Sequence, residues 1–160
     1  MAEALSLRVI FYDDVPSMPI GRAELKDTLH ELLQEADFVC VNVSCIPENK
    51  NFIGRKEVEM MKPKSYLLNA SYSEAVDIDA VADALKIGHL SGAALDVFPA
   101  SLDIKSHPIK DCPNVILTPE IGDKTADALN RIGIEVANSI IRYLADGTTV
   151  GTVYTLPSKV

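Results

Sequence analysis

The stretch SYLLNASYSEAVDIDAVADALKIGHLSGAALDVFP, residues Ser65–Pro99, reads as one complete strand, helix and strand. Its two ends, Tyr66–Leu68 and Ala93–Phe98, are short and mostly apolar runs without alternation, which is typical of strands covered on both faces. Between them, apolar residues recur at helical spacing, with Asp77 as a suitable N-cap and Gly88 as a suitable helix stop. Because two strands joined by a crossover helix lie parallel, the stretch predicts part of a parallel α/β sheet.

The rest of the chain supplies further strands of the same kind. They are predicted at Leu7–Tyr12, Asp37–Val43 and Val115–Leu117, and the tail from Thr148 onwards could add one more. Five strands that alternate with helices predict a doubly wound, Rossmann-type α/β sheet. We expect a single domain over residues 1–160, because the length suits one hydrophobic core.

Apolar residues at helical spacing predict two further amphipathic helices. The first carries Leu25, Leu29, Leu32, Leu33 and Ala36, and the second buries a stripe of Ala128, Leu129, Ile132, Val136, Ala137, Ile140, Ile141 and Leu144. A short helix is predicted around Arg55–Met61, and Gly147 should end the last helix. His30 and His107 fall outside these apolar faces, so both are expected to be solvent-exposed.

Composition excludes several classes of function. The chain has 15 Lys plus Arg against 23 Asp plus Glu, a net charge of −8, without a basic cluster, so nucleic acid and anionic membranes are poor partners. No apolar run approaches the roughly 18 residues of a membrane-spanning helix, and no secretory pattern opens the chain, so a cytoplasmic protein is expected. Cys40 is predicted to be a core thiol and Cys45 and Cys112 to lie in loops, without metal-ligand spacing.

Four segments resemble a known family. They are LLNAS at 67–71, VDIDAVADALKIGHLSGAALDVFP at 76–99, NVILTPEIG at 114–122 and IGIEVANSIIRYL at 132–144. They are similar to the NAD-binding domain of D-2-hydroxyacid dehydrogenases, most closely the D-3-phosphoglycerate dehydrogenase branch, from about Ala4 to Val153. The resemblance implies NAD as cofactor, hydride transfer on a 2-hydroxy acid such as 3-phosphoglycerate, and a place in serine biosynthesis.

The resemblance also implies four positions on the cofactor side. Asp13 would hold the adenosine ribose, Ala70 would line the nicotinamide end through its backbone, Asp96 would meet the carboxamide, and Gly122 would let the backbone approach the cofactor. The residues themselves leave other interpretations open, since Asp13 can simply start a turn and Asp96 can have a conformational role.

The sequence before Asp13 is too short for the first strand, glycine-rich turn and helix of a complete dinucleotide-binding fold. Only 12 residues precede Asp13, and no GxGxxG motif occurs anywhere in the chain. We therefore expect an incomplete sheet that lacks the first strand and the glycine-rich turn, with MAEALSL as the last turn of the missing helix, and no substrate or effector domain. NAD binding should be weak without backbone N–H donors for the pyrophosphate. The strand at Leu7 should keep an open edge unless the other strands close the gap or another chain fills it.

Three catalytic positions are substituted. In the family an Arg grips the substrate carboxylate, and a His oriented by a Glu takes the hydroxyl proton, whereas the matching positions here are Tyr72, Ser101 and Glu120. The resemblance thus implies a catalytically impaired relative. Glu120 is either a solvated acid near the start of the last helix or a general base for altered chemistry.

Three functional hypotheses follow. The first is a truncated, catalytically impaired relative of D-3-phosphoglycerate dehydrogenase. The second is a working NAD-dependent oxidoreductase, either complete only with another chain or an upstream segment, or supported by altered chemistry at Glu120. The third is a non-catalytic regulatory subunit that pairs with a full-length homologue, and a homo-oligomer is also possible.

Overall fold

The computed structural model describes residues 1–15, 17–122 and 124–149. Its strands and helices are, in chain order, β1 Ile10–Phe11, β2 Glu24–Leu25, α1 Leu29–Glu35, β3 Phe38–Val41, α2 Arg55–Met60, β4 Tyr66–Asn69, α3 Ile78–Lys86, β5 Gly92–Leu95, β6 Val115–Leu117 and α4 Ala126–Asp146. The chain divides after Pro119 into two units. The predicted tail strand lies, from residue 150 onwards, outside the described residues.

The first unit contains two parallel sheets. One has four strands in the order β3-β4-β5-β6, and the other pairs β1 with β2. This arrangement confirms the predicted parallel α/β fold and the parallel pairing of the strands on either side of α3. Among the described residues no strand lies between β1 and β3, so the other strands do not close the expected gap.

One face of the four-stranded sheet carries the core. Helices α1, α2 and α3 contact one another in chain order, as a layer of right-handed crossover helices does. Alternate strand residues point towards this layer and are buried, namely Val39, Val41, Leu67, Asn69, Ala93 and Leu95. They join helix residues such as Leu33, Val58, Val81 and Leu85 in one hydrophobic cluster.

The opposite face of the same sheet is largely uncovered, and we call it the open face. It comprises the residues that alternate with the buried ones, Phe38, Cys40, Tyr66, Leu68, Ala94 and Ile116. Phe38 is 56% exposed and Ile116 65% exposed, and the Phe38 and Tyr66 rings stack with centroids 4.9 Å apart. The prediction of strands covered on both faces is therefore wrong here. Cys40, predicted to be a core thiol, is exposed because it points to this face, whereas Cys112 is buried.

The predicted helix around Leu25–Ala36 begins later than expected. Leu25 lies in β2, and α1 starts only after Thr28, whose side chain accepts a hydrogen bond from the Glu31 N–H. The N-cap at Thr28 thus determines where α1 begins, which the spacing of the apolar residues alone does not show. His30 is exposed as predicted.

The prediction of an exposed His107 is wrong. The side chain is buried, its Nδ1 accepts the Ile109 N–H at 3.2 Å, and its Nε2 lies 3.0 Å from the Asp79 carboxylate. Because Nδ1 accepts, Nε2 carries the proton and donates to Asp79. The imidazole therefore joins the loop before β6 to the start of α3.

Ion pairs join the small sheet to α1. Arg8, next to β1, binds Glu24 of β2 at 2.5 Å and also binds Glu35 of α1, which in turn binds Lys26. The pKa of the Glu35 carboxyl is held below its ordinary value by Lys26 and then by Arg8, and the pKa of Glu24 is lowered chiefly by Arg8. Charge thus holds β1 and β2 beside the first helix of the core.

The second unit contains α4. Thr125 caps the helix by accepting the Ala128 N–H at 3.1 Å, and Gly147 ends it in the left-handed region at φ 72°, as predicted. The predicted burial of its apolar stripe is wrong, since Ile132, Val136 and Ile140 are all at least 50% exposed. No described helix is long and apolar enough to cross a membrane.

We predict that Gly92→Ala destabilises the first unit. A Cβ at Gly92 would lie 2.8 Å from the backbone oxygen of Asn114 and 3.1 Å from the Tyr66 ring. The backbone cannot move aside cheaply, so the free energy of unfolding should fall by about 1–3 kcal/mol in urea titrations followed by circular dichroism.

The matched control for this substitution is Gly133→Ala in α4. A Cβ at Gly133 meets nothing within 4 Å, and Ala has the higher helix propensity, so this variant should be neutral or slightly stabilised. Equal stability of the two variants would refute the proposed close packing at Gly92.

We predict that Glu35→Gln weakens the attachment of the small sheet at neutral pH. The pKa of Glu35 is lower in the folded state than its ordinary value of 4.5. The ionised carboxylate therefore stabilises the folded state fully above pH 4.5, and this stabilisation is lost as the pH falls through the lowered pKa. Stability at pH 7 should drop modestly, and the loss of stability as the pH falls below about 4.5 should become shallower in the variant. Glu31→Gln, on the same helix but outside this set of ion pairs, is the control, and an equal loss of stability at pH 7 in both variants would contradict the ion-pair assignment.

Candidate functional site

The carboxyl ends of β4, β5 and β6 meet at one edge of the four-stranded sheet. Asn69 and the turn after it, Asp96, and Thr118 stand at these three ends. In open α/β sheets, ligands bind in the crevice outside the carboxyl ends of the strands. This edge is therefore the candidate site of the first unit.

Asn69 holds the turn that follows β4. Its side chain is 2% exposed, its amide nitrogen donates to the Tyr72 carbonyl at 3.0 Å, and its amide oxygen accepts the Ser71 N–H at 3.1 Å. The Ser71 hydroxyl donates to the Val41 carbonyl at 3.1 Å, so the turn is also fixed to β3. Ala70 stands between these anchored residues and is exposed, so its backbone is fixed and accessible.

Asp96 and Thr118 form a second polar cluster beside this turn. The Asp96 N–H donates to the Asn69 carbonyl at 2.9 Å, and the Thr118 hydroxyl donates to an Asp96 carboxylate oxygen at 2.5 Å. The Thr118 N–H binds the Leu95 carbonyl at 3.1 Å. The structure thus brings together Ala70 and Asp96, two of the four predicted cofactor positions. Sequence analysis missed Thr118, although its place directly after a predicted strand could have indicated it.

Asp13 lies two residues beyond β1 and is exposed. Its carboxylate accepts the Val15 N–H at 3.1 Å and the Ser17 hydroxyl at 2.9 Å. These hydrogen bonds, that of Val15 first, keep the pKa of Asp13 below its ordinary value. The carboxylate is thus an ionised acceptor in a turn, and its contact with a ribose stays a prediction.

The first two positions predicted to replace catalytic residues also lie in the first unit. Tyr72 is half-buried in the turn after β4, and its hydroxyl donates to Glu74 at 3.4 Å. Burial, and then the neighbouring Glu74 charge, raises the pKa of Tyr72, so the phenol is neutral at physiological pH. Ser101 is exposed in the loop after β5.

The third of these predicted positions, Glu120, lies in the second unit. Its backbone is left-handed at φ 53°, its side chain is about half exposed, and its carboxylate binds Lys124 at 2.7 Å. Gly122 is exposed in the same segment, and its role near a cofactor stays a prediction. The described parts of the chain hold no cluster of metal-ligating side chains.

We predict that Asn69→Ala loosens the turn that presents Ala70. The substitution leaves the Ser71 N–H and the Tyr72 carbonyl without their buried partner, which typically costs about 1–3 kcal/mol of stability. Urea titration should show this loss, and amide exchange at Ser71 should accelerate. Asn42→Ala, at an exposed position just after β3, is the control and should change neither quantity.

Comparison with known proteins places this geometry in a family. The model of the D-isomer specific 2-hydroxyacid dehydrogenase NAD binding domain matches residues 1–122. D-3-phosphoglycerate dehydrogenase of Escherichia coli is 43% identical over 96% of this chain and 38% of its own length, so the chain spans well under half of that relative.

Solved structures agree with the sequence comparison. D-mandelate dehydrogenase of Rhodotorula graminis superimposes with a TM-score of 0.77 at 26% identity, over 89% of this chain and 42% of that one. NAD-dependent formate dehydrogenase of Staphylococcus aureus in complex with NAD gives a TM-score of 0.74 at 26% identity, over 90% and 44%. With its parallel sheet and its polar residues at the strand ends, the chain belongs to the NAD-binding domain family of D-isomer specific 2-hydroxyacid dehydrogenases.

Proposed function

We propose that this chain is a D-3-phosphoglycerate dehydrogenase-like portion of an NAD-binding domain that does not catalyse hydride transfer by the family's route. The observation that carries the proposal is the chemistry at Tyr72, Ser101 and Glu120. The route needs a cation that forks onto a carboxylate and an imidazole that accepts a proton near neutral pH. A neutral phenol, an exposed hydroxyl and an ion-paired carboxylate offer neither.

The charges at these positions also oppose the family's substrates. Tyr72 is uncharged and donates to the carboxylate of Glu74, so it offers no cation to a substrate carboxylate. In the second unit, Glu120 carries a carboxylate paired with Lys124 at the position where the family has an imidazole. A 2-hydroxy acid is itself an anion. Loss of one preorganised charged contact typically reduces a rate by roughly 100- to 1000-fold, and here both the cation and the base are replaced.

The cofactor side fits NAD only in part. The fixed, exposed backbone at Ala70 and the carboxylate of Asp96 offer hydrogen-bonding groups suited to a nicotinamide carboxamide, and Asp13 offers an acceptor for ribose hydroxyls. NAD, when bound, supplies the hydride chemistry of the family. The sequence contains no GxGxxG motif to hold the pyrophosphate, so the chain by itself should bind the dinucleotide weakly.

A second candidate function is supported by the length of the relatives. The matched D-3-phosphoglycerate dehydrogenases are covered over only 35% to 39% of their length. An NAD-dependent oxidoreductase that acts on a 2-hydroxy acid and is complete only with another chain or an upstream segment would show the same coverage. The third candidate is a non-catalytic regulatory subunit that pairs with a full-length homologue. The chain could also form a homo-oligomer, and we propose a cytoplasmic location.

The test combines cofactor binding with turnover. We expect calorimetric titration of the isolated chain with NADH to give a dissociation constant weaker than about 1 mM, equivalent to about −4 kcal/mol. Reduction of 3-phosphohydroxypyruvate, followed at the NADH absorbance, should not exceed the rate without protein. The E. coli enzyme under the same conditions is the positive control.

Submillimolar NADH binding together with turnover would refute the proposal. The Glu120→Gln variant then separates the causes. Turnover lost on this substitution would identify Glu120 as a general base, whereas turnover unaffected by it would favour an enzyme that acts without that carboxylate.

A further inference from the structure

A groove lies between α2 and α3 on the solvent side of the helix layer. Val58, Ala80 and Ala84 form its floor and are each at most 6% exposed. Ile87, at the end of α3, also lines the groove and is 81% exposed. Because the two alanine side chains are small, a cavity of about 150 Å³ remains between the helices. The groove thus combines a buried apolar floor with an accessible opening.

Two polar contacts hold the groove in shape. The guanidinium of Arg55, at the start of α2, binds the Asp83 carboxylate of α3 at 3.0 Å. The Nε2–H of His89, just after α3, donates to the Val58 carbonyl of α2 at 3.1 Å. These contacts join α2 both to α3 and to the segment that follows it. A ligand therefore meets a preformed groove, which lowers the cost of ordering on binding.

The polar rim of the groove is acidic. Asp83 and Glu59 line it beside Arg55. The hydrogen bond with Asp83 is the main cause that raises the pKa of Arg55, and the charges of Asp83, Asp77 and Glu59 raise it further. Three carboxylates thus act on one guanidinium. The local charge is negative, and the rim attracts cations.

The size of the groove indicates which kind of ligand it fits. Small-molecule sites usually enclose about 300–1,000 Å³. The cavity of about 150 Å³ is smaller than this range, and its floor is apolar. Such a space suits a single aliphatic side chain, which is a common anchor of protein–protein contacts. The groove therefore fits a side chain of a partner protein better than a free cofactor or metabolite.

Charge distinguishes between possible occupants. A second copy of this chain carries a net charge of −8, and nucleic acids and anionic membranes are also negative, so the acidic rim disfavours all three. A segment with lysine or arginine beside an aliphatic side chain complements both the rim and the floor. Such complementarity favours correct partners and speeds their association.

We propose that the groove between α2 and α3 is a docking site for a basic segment of a partner protein. The segment inserts one large aliphatic side chain between Val58, Ala84 and Ile87, and it places lysine or arginine beside Glu59 and Asp77. This inference goes beyond the proposed function, because none of these residues belongs to the edge that carries Asn69, Asp96 and Thr118.

The test exposes the immobilised full chain to a library of short peptides of random sequence. We expect the retained peptides to be enriched in lysine and arginine around one leucine, isoleucine or methionine. The most enriched peptide is then synthesised, and its dissociation constant, measured by fluorescence anisotropy, should be about 0.1 mM or tighter.

Variants of the chain locate the binding surface. Glu59→Lys reverses a charge at the rim and should weaken peptide binding at least about tenfold. Glu31→Lys makes the same charge change at an exposed position of α1 and should stay within about twofold. Ile87→Ser removes apolar surface of the groove and should weaken binding about fivefold. Ile20→Ser, at a position that is 89% exposed outside the groove, is its matched control.

Several outcomes would overturn the docking site. They are a retained pool without the expected enrichment, unchanged binding by Ile87→Ser, or equal losses in Glu59→Lys and Glu31→Lys. Equal losses would mean that the total charge of the chain, and not the groove, attracts the peptide. A dimer of the free chain that Ile87→Ser dissociates would also overturn it, because a second copy would then occupy the groove.

The readout separates this inference from the proposed function. Peptide binding is measured without NADH or substrate, so turnover by the isolated chain would count against the proposed function alone. Urea titration of each variant checks that the chain is folded under the conditions of the binding measurement.

Discussion

The right-handed connection between parallel strands is the constraint on which this structure depends. Since β3, β4, β5 and β6 follow one another across the sheet in one direction, their connecting helices share one face. That choice decides which side chains form the core. Val39, Leu67 and Leu95 are buried beneath α1, α2 and α3, whereas their neighbours Phe38, Tyr66 and Ile116 point to the other face and stay accessible.

The same parallel arrangement fixes the polar residues at the carboxyl ends of the strands. Asn69, Asp96 and Thr118 are tied to the strands by backbone hydrogen bonds, so the fold itself fixes the edge. Ser101 and Glu120 are exposed, and Tyr72 packs against the hydrophobic core only as a partly buried side chain. None of these three positions belongs to the fully buried core, so the fold constrains them less than it constrains Asn69.

Local signals in the sequence predicted the elements well, because capping and periodicity act within a few residues. Asp77 caps α3 and Gly147 ends α4, and both were identified from residue type and position. Burial was predicted less well, because it depends on which layers are present. An apolar run in the sequence has the same pattern whether one face of the strand is covered or both are. Cys40 was therefore predicted to be buried, although it is exposed. The apolar stripe of α4 was also predicted to be buried and is exposed.

At the candidate site, too, local features were predicted from the sequence and contacts between distant segments were not. The family pattern indicated Ala70 and Asp96, whereas Thr118 emerged only when the register of β5 and β6 brought its hydroxyl to Asp96. His107 was misjudged for a similar reason, since its partner Asp79 is 28 residues away in sequence. Contacts between distant segments follow from topology, which a single sequence specifies only indirectly.

The uncovered aromatic pair on β3 and β4 has a consequence for how the free chain behaves in solution. Unpaired strand edges next to apolar surface invite sheet-to-sheet association, and the net charge of −8 opposes it by mutual repulsion. That repulsion reaches about 8 Å at physiological ionic strength and about 3 Å in molar salt. The solubility of this acidic chain should therefore decline steeply as salt is added. A protein whose strand edges are all paired or covered should be less sensitive to salt.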